Sequence, residues 1–308
     1  MLKICFFFVL VNILYLYLYY IYNLYFLNMN LSSRHPSMRP TPSQRKQIRI
    51  PPAWTNVRIS SSLPTAKIWA IGYDEKHRKQ YIYNPRWTSS ASTSKFQRIG
   101  RYLNRLFHIR NESRRILRHL LRHRPTHITR DFVLWIMVAL LFETGMRVSS
   151  SIHADATGLT TLRPNHLHTN ILQFIGKSKQ PQRFVLSSSS LIRWLNILKT
   201  SKHPFLFTVN GTRITASDLN RFLHQHASVT AKDIRTVVAN QRWFEIYSDK
   251  GASTDTDIKK KQHMALKSVA DAIQHTPAIC RKSYLHPRVW TMRTHYTTPD
   301  CALRRLFC

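Results

Sequence analysis

The chain has 308 residues, enough for one or two ordinary cores, and carries 47 Lys plus Arg against 14 Asp plus Glu, a formal charge of +33. The excess runs from about Arg34 to Arg305, so it is no basic tail and does not segregate onto one membrane-surface helix; it points to a polyanion bound through counterion release. Four cysteines without a CxxC pair give no zinc or disulfide framework and fit a reducing compartment.

Residues 4–27 form an uncharged apolar run of membrane-spanning length, interrupted by Asn12 and Asn23 and lacking a small-residue cleavage site. We read residues 1–28 as a dispensable extension, with initiation at Met29 or Met38; a membrane anchor and a signal peptide are the competing readings. Membrane attachment is not expected of so basic a chain. Residues 29–50, rich in Ser, Pro, Arg and Gln, read as a disordered basic linker.

Residues 51–112 are expected to hold a small β-rich domain. WTNVRIS, AKIWAIGYD and KQYIYNPRW read as three short strands, with turn signals at 60–64 and 72–76. Tyr81 and Tyr83, beside Lys79 and Arg86, put aromatic and cationic groups within reach of a nucleic-acid backbone. One face of that strand should pack on the small core, which predicts burial of at least one of the two tyrosines. From Lys95 helices dominate: 95–123 is a basic helical stretch with Phe96, Ile99, Leu103, Leu106 and Phe107 at helical spacing.

A mostly helical domain is expected over 113–290, with 291–308 as a tail. FVLWIMVALLF at 132–142 is too short to span a bilayer and reads as a buried central helix ending at Thr144–Gly145, with Arg147 just beyond. ILQFI and RFVLS flank GKSKQPQ, a hairpin with Lys177 near its tip; Ile171 stands where a nucleotide-binding loop would need glycine, so that reading fails. Leu191, Trp194, Leu195 and Leu198 mark one helix face, and Leu219, Phe222 and Leu223 another. TAKD at 230–233 is a capping box, after which Lys232 and Arg235 lie three apart on one helix face and can address one phosphate. Leu266, Val269, Ala270 and Ile273 mark a packed helix, and Thr276–Pro277 starts the next.

That last helix carries QHTPAICRKSYLHP, with His275, Arg281, Lys282 and Tyr284 close together. A tyrosine among cations on a short helix is a poor core residue and a plausible nucleophile toward a phosphodiester, because positive charge favours a phenolate and a bound phosphate alike. No cluster of Asp or Glu offers a seat for two magnesium ions, so phosphoryl chemistry here would run on arginine and lysine, with no metal or other cofactor expected. Guanidinium suits a five-coordinate phosphorus because it stays protonated and its fork fits two oxygens.

With these residues assembled, the chain resembles the poxvirus-type DNA topoisomerase IB family. The matching segments run in order from IPPAWTNV near 50 and KQYIYNPRW at 79–87 through FETGMRVSS at 142–150 and GLTTLRPNHL at 158–167. They continue with FIGKSK at 174–179, TAKDIRT at 230–236 and TPAICRKSYLHP at 276–287. After the arginine this chain reads RVSSSIHADAT where relatives have a Gly-Asn-Glu-like continuation. The resemblance implies an α+β protein: a small β-rich N-terminal domain and a mostly α-helical catalytic domain of the type IB topoisomerase/tyrosine recombinase fold, with a β-hairpin carrying the lysine and the whole clamping duplex DNA as a monomer. It implies Tyr284 as nucleophile, Arg147 and Arg235 on the scissile phosphate, Lys177 protonating the leaving oxygen with Lys232 assisting, and His275 donating to a non-bridging oxygen. Lys179, Arg281 and Lys282 join Lys79, Tyr81, Tyr83 and Arg86 as expected DNA contacts. The implied activity is ATP- and metal-independent relaxation through a 3′-phosphotyrosyl bond, in a nucleus, a viral factory or another DNA-containing compartment. A tyrosine recombinase, which usually carries HxxR where this chain has Lys232-Asp233-Ile234-Arg235, and a non-catalytic DNA-binding relative are the alternatives.

Overall fold

Backbone donors near the start of the chain find partners in a way its composition hides. The computed structural model describes residues 36–123, 125–149, 156–248, 251, 253–292 and 298–307; the apolar run at 4–27 lies outside them. Within the stretch expected to be disordered, Pro42–Ile48 forms a helix, α1. Thr41 and Gln44 make a reciprocal capping box, Pro42 takes the first turn, and Ile48 and Ile50 are buried. Two apolar anchors and a cap are enough to order a segment that is otherwise polar and basic.

The described residues divide into two compact units between Thr93 and Ser94. In the first, β1 (Thr55–Ile59), β2 (Ile68–Tyr73) and β3 (Lys79–Tyr83) form an antiparallel sheet in sequence order, over a core of Ile48, Ile50, Val57, Ile59 and Ala70. β3 alternates faces with period two: Ile82 packs on that core, while Tyr81 and Tyr83 are 40% and 39% exposed. The expected burial of one tyrosine is therefore wrong, because both sit on the outer face. There the rings of Tyr81, Tyr83 and Trp87 stack at 6.0 and 5.4 Å, with Lys79 over Tyr81 and Lys67 over Trp87.

The third expected strand stops at Tyr83, and helix α2 (Pro85–Arg122) begins at Pro85 rather than near residue 95. Asn84 explains the early start: its side chain accepts from the Arg86 N–H while its amide holds the Pro64 and Ala66 carbonyls. The Ser/Thr-rich first turns conceal the helix from a periodicity reading, since they bury little.

The second unit is built on α3 (Arg130–Thr144), capped by Thr129 and buried on nearly every side. Around it pack α4 (Ser189–Lys199), α5 (Ala216–Ala227) and α6 (Ala231–Ile246), which in turn contacts α7 (Asp255–Ala272). A helix apolar all round needs such a cage to be stable. β4 (Leu167–His168), β5 (Ile171–Ile175) and β6 (Pro181–Val185) form a second antiparallel sheet, and β7 (Thr208–Val209) pairs with β8 (Thr212–Arg213). The chain then adds α8 (Pro277–Ser283) and, in the tail, α9 (Pro299–Phe307). Among the described residues no helix is long and apolar enough to cross a membrane.

α9 had no expected role, yet it buries Ala302, Leu303 and Leu306 and packs against α6. Arg110 of α2, nearly buried, meets Asp300 through two bonds of 2.9 and 2.6 Å. Removing the carboxylate charge leaves that guanidinium poorly compensated. Because Asp300 is itself partly solvated, Asp300→Asn should cost about 1–2 kcal/mol, less than a fully buried pair. A urea midpoint equal to that of the unmodified protein would contradict this.

Candidate active site

Arg147 is placed by two glycines. Gly145 ends α3 at φ 60, where a side chain would be strained and a Cβ would meet Val238 at 3.1 Å. Two residues on, the Arg147 carbonyl accepts from the Leu159 N–H at 2.8 Å. A Cβ on Gly158 would fall 2.7 Å from that carbonyl oxygen and 2.6 Å from the Ser149 nitrogen, so only glycine lets the two segments pass so closely. The same segment reaches the hairpin, Thr157 N–H donating to the Ile175 carbonyl at 2.8 Å, just before the turn that carries Lys177 and Lys179. Both lysines are exposed.

α6 begins with the expected capping box, Thr230 and Asp233. Lys232 is exposed, whereas Arg235 is 3% exposed. The guanidinium donates to the Ile273 carbonyl at 2.6 Å and lies 5.0 Å from the centre of the Tyr284 ring, with its Nε unpartnered. Burial pushes it down to about 10, opposed by the Tyr284 hydroxyl and reinforced by Arg147, so it keeps its charge at neutral pH. Among the described residues no carboxylate forms an ion pair with Arg147, Lys177, Lys232 or Arg235.

His275 precedes α8, and its Nε2 meets the Arg147 guanidinium directly. The guanidinium can only donate, so Nε2 accepts in this contact, while the Thr276 N–H lies 3.2 Å from Nδ1. With its proton on Nε2 instead, the ring becomes a second donor beside Arg147 when an anionic oxygen enters between them. Burial, then the charges of Arg147, Arg235 and Lys177, push this imidazole down to about 4, so it is neutral at pH 7.

Tyr284 follows α8 as its C-cap, and it is buried, 7% exposed, contrary to the expectation that it would make a poor core residue. Its ring lies under Arg235 and 5.4 Å from the His275 ring, an environment that shelters the ring while keeping it among cations. Asn240 of α6, fully buried, is a residue the sequence reading missed. Its amide donates to the Tyr284 carbonyl and its oxygen accepts from the His286 N–H, both at 2.9 Å. An Asn on the apolar side of a helix was the only available signal.

Arg147, Lys177, Lys232, Arg235 and Tyr284 line one cavity of about 660 Å³. Arg147 and Lys177 also line a second, of about 620 Å³, together with His275. All six residues expected to act on the phosphate therefore meet around these two hollows. Lys179, Arg281 and Lys282 line neither; Arg281 stacks over Trp290 at 4.5 Å, and Lys282 is exposed on α8. Lys79, Tyr81, Tyr83 and Arg86 belong to the first unit, where all four are exposed.

Two outcomes follow from this geometry. Gly158→Ala should cost about 1–3 kcal/mol by overpacking and shift Arg147; unfolding and DNA-cleavage assays check it, and wild-type values in both would contradict it. His275 and His286, both held at about 4 by burial first, bind no proton in the folded state between about pH 6.5 and 4, while the unfolded chain does. Stability from these groups is complete above pH 6.5 and is lost as pH falls toward 4. His286→Gln should make the urea midpoint less steep across that window, and an unchanged slope would contradict the assignment.

A family model described as the catalytic core of eukaryotic DNA topoisomerase I matches residues 84–297. DNA topoisomerase 1B of Acanthamoeba polyphaga mimivirus is 28% identical over 276 residues, covering 82% of this chain and 80% of that protein. DNA topoisomerase 1 of Rabbit fibroma virus (strain Kasza) is 24% identical over 271 residues, 83% of this chain and 82% of its own length. DNA topoisomerase 1B of Vaccinia virus (strain Copenhagen) is 20% identical over 261 residues, 80% of each. The matched region takes in Arg147, Lys177, Lys232, Arg235, His275 and Tyr284, and the chain belongs to the type I DNA topoisomerase family in its viral type IB form.

Proposed function

We propose that this protein relaxes supercoiled duplex DNA by transient cleavage of one strand, with Tyr284 as nucleophile and a cation-lined pocket in place of a metal ion. The observation that carries the reading is Arg235: a buried guanidinium with no carboxylate partner among the described residues, against the tyrosine ring and on the same cavity as Arg147, Lys177 and Lys232. A phosphodiester supplies the missing counter-charge.

In this reading the phenol oxygen attacks phosphorus in line with the 5′-oxygen, forming the phosphotyrosyl bond as the P–O5′ bond breaks. Arg147, Arg235 and the Nε2–H of His275 meet the charge on the non-bridging oxygens. Lys177, on the hairpin, delivers a proton to the departing 5′-oxygen, with Lys232 assisting. The free 5′-hydroxyl end rotates and then attacks the phosphotyrosine, so the bond energy is conserved and religation needs no ATP. A fold of the type IB topoisomerase/tyrosine recombinase kind, acting as a monomeric clamp, fits the helical second unit and its lysine hairpin.

One supercoiled plasmid tests this in EDTA without ATP. The protein should relax it catalytically, Tyr284→Phe should still bind DNA but relax none, and Arg235→Ala should be slower by ~10²–10³. A full rate from Tyr284→Phe would remove that residue from the chemistry. Recombined products requiring paired sites would instead favour the recombinase reading.

A further inference from the structure

α8 ends at Ser283, and that residue's carbonyl accepts a hydrogen bond of 2.9 Å from the ammonium of Lys95, a residue of α2. Helix C-termini leave carbonyls without intrahelical partners, and a cation there is favoured both as donor and by the helix dipole. What is unusual is which carbonyl is chosen: the one immediately before Tyr284.

Among the described residues Lys95 forms no ion pair. Asp233, whose charge acts on it, is already held by Arg98 at 2.6 Å and by the Thr230 cap. The Lys95 ammonium lies 3.9 Å from the centre of the Phe96 ring and lines neither of the two cavities. Its hydrogen-bonded link to the site runs through the tyrosine's backbone, and Lys232, on the first cavity, acts on it only through space. Asn240 grips the far side of the same residue, at the Tyr284 carbonyl and the His286 N–H. The peptide units flanking the phenol-bearing residue are thus tethered to two different helices, α2 and α6.

We propose that Lys95 is a positioning residue for strand cleavage, its bond to the Ser283 carbonyl holding the Tyr284 phenol in line with the scissile phosphate. The inference rests on Tyr284 being the nucleophile. In the step served, the phenol oxygen bonds to phosphorus, the P–O5′ bond breaks, and the phenol gives up a proton while O5′ gains one; Lys95 takes part in neither transfer. Charge strengthens the tether, since a charge-assisted bond is roughly twice as strong as a neutral one. Burial brings this ammonium down to about 8, with Lys232 and Arg98 lowering it and Asp233 opposing them; His286, beyond Tyr284, also faces it. The tether is accordingly at full strength well below pH 8 and weakens as pH rises through it.

The test is single-turnover cleavage of a labelled duplex at saturating protein, with DNA affinity and thermal melting read in parallel. Lys95→Met should slow adduct formation by about 10–100-fold while leaving the dissociation constant within about threefold, because a misaligned nucleophile loses rate without losing phosphate contacts. Lys95→Arg should recover most of the rate and should lack the part of the alkaline decline above pH 8 that the lysine contributes. A duplex with sulfur in place of the bridging 5′-oxygen needs no leaving-group proton, so Lys95→Met should remain slow on it. Wild-type cleavage by Lys95→Met, a defect confined to affinity, or restoration by the sulfur substrate would each overturn the proposal. If Lys95→Met melts below the assay temperature, Lys95→Gln replaces it, and a wild-type rate there overturns it equally. Failure of the unmodified protein to form any adduct would instead sink the assignment of Tyr284, and this proposal with it.

Discussion

A guanidinium buried to 3% exposure with no carboxylate paired to it among the described residues is the constraint around which the second unit is arranged. Desolvating such an ion costs several kcal/mol, and an ordinary structural arginine recovers that through a partner, as Arg110 does with Asp300. Arg235 recovers part through the Ile273 carbonyl and the face of the Tyr284 ring, with no carboxylate among the described residues to supply the rest. Arg147, Lys177 and Lys232 add uncompensated charge along the same cavity. The core of α3, α4, α5 and α6 supplies the stability that holds these like charges together, and in the proposed function the pocket gains its counter-ion when a phosphate enters.

The same packing answers how a buried tyrosine can serve as the proposed nucleophile. Its ring is enclosed by Arg235 and His275, while its main chain is fixed on one side by Lys95 and on the other by Asn240. In the proposed mechanism a phenol positioned in this way loses little freedom on attack, which is where an oriented nucleophile derives its advantage. His275, neutral at pH 7, offers a donor without adding another charge to a crowded site.

Much of this was legible in the sequence where local physics dominates. The apolar run at 132–142, the glycine after it, the TAKD cap and the Thr-Pro start of α8 each carry their signal within a few residues, and each corresponds to the element found. The hairpin at 171–185 was equally plain from its flanking apolar strands. Helix α1 was hidden because a basic, Ser/Pro-rich composition looks disordered even when a capping box and two isoleucines order it. The start of α2 was hidden by its polar first turns. Asn240 and Lys95 could not be found, since their partners lie 44 and 188 residues away and nothing local marks either residue. The burial of Tyr284 was misjudged for the same reason: what surrounds it comes from α6 and from the segment leading into α8.

The most direct measurement is the chemical identity of the trapped covalent complex. The protein is mixed with duplex DNA in EDTA, denatured during turnover, digested, and the nucleotide-bearing peptide sequenced. The account predicts a single modified residue, Tyr284, joined to a 3′-phosphate. A 5′-linked nucleotide, modification of a different side chain, or an adduct that forms only when a divalent cation is restored would contradict it.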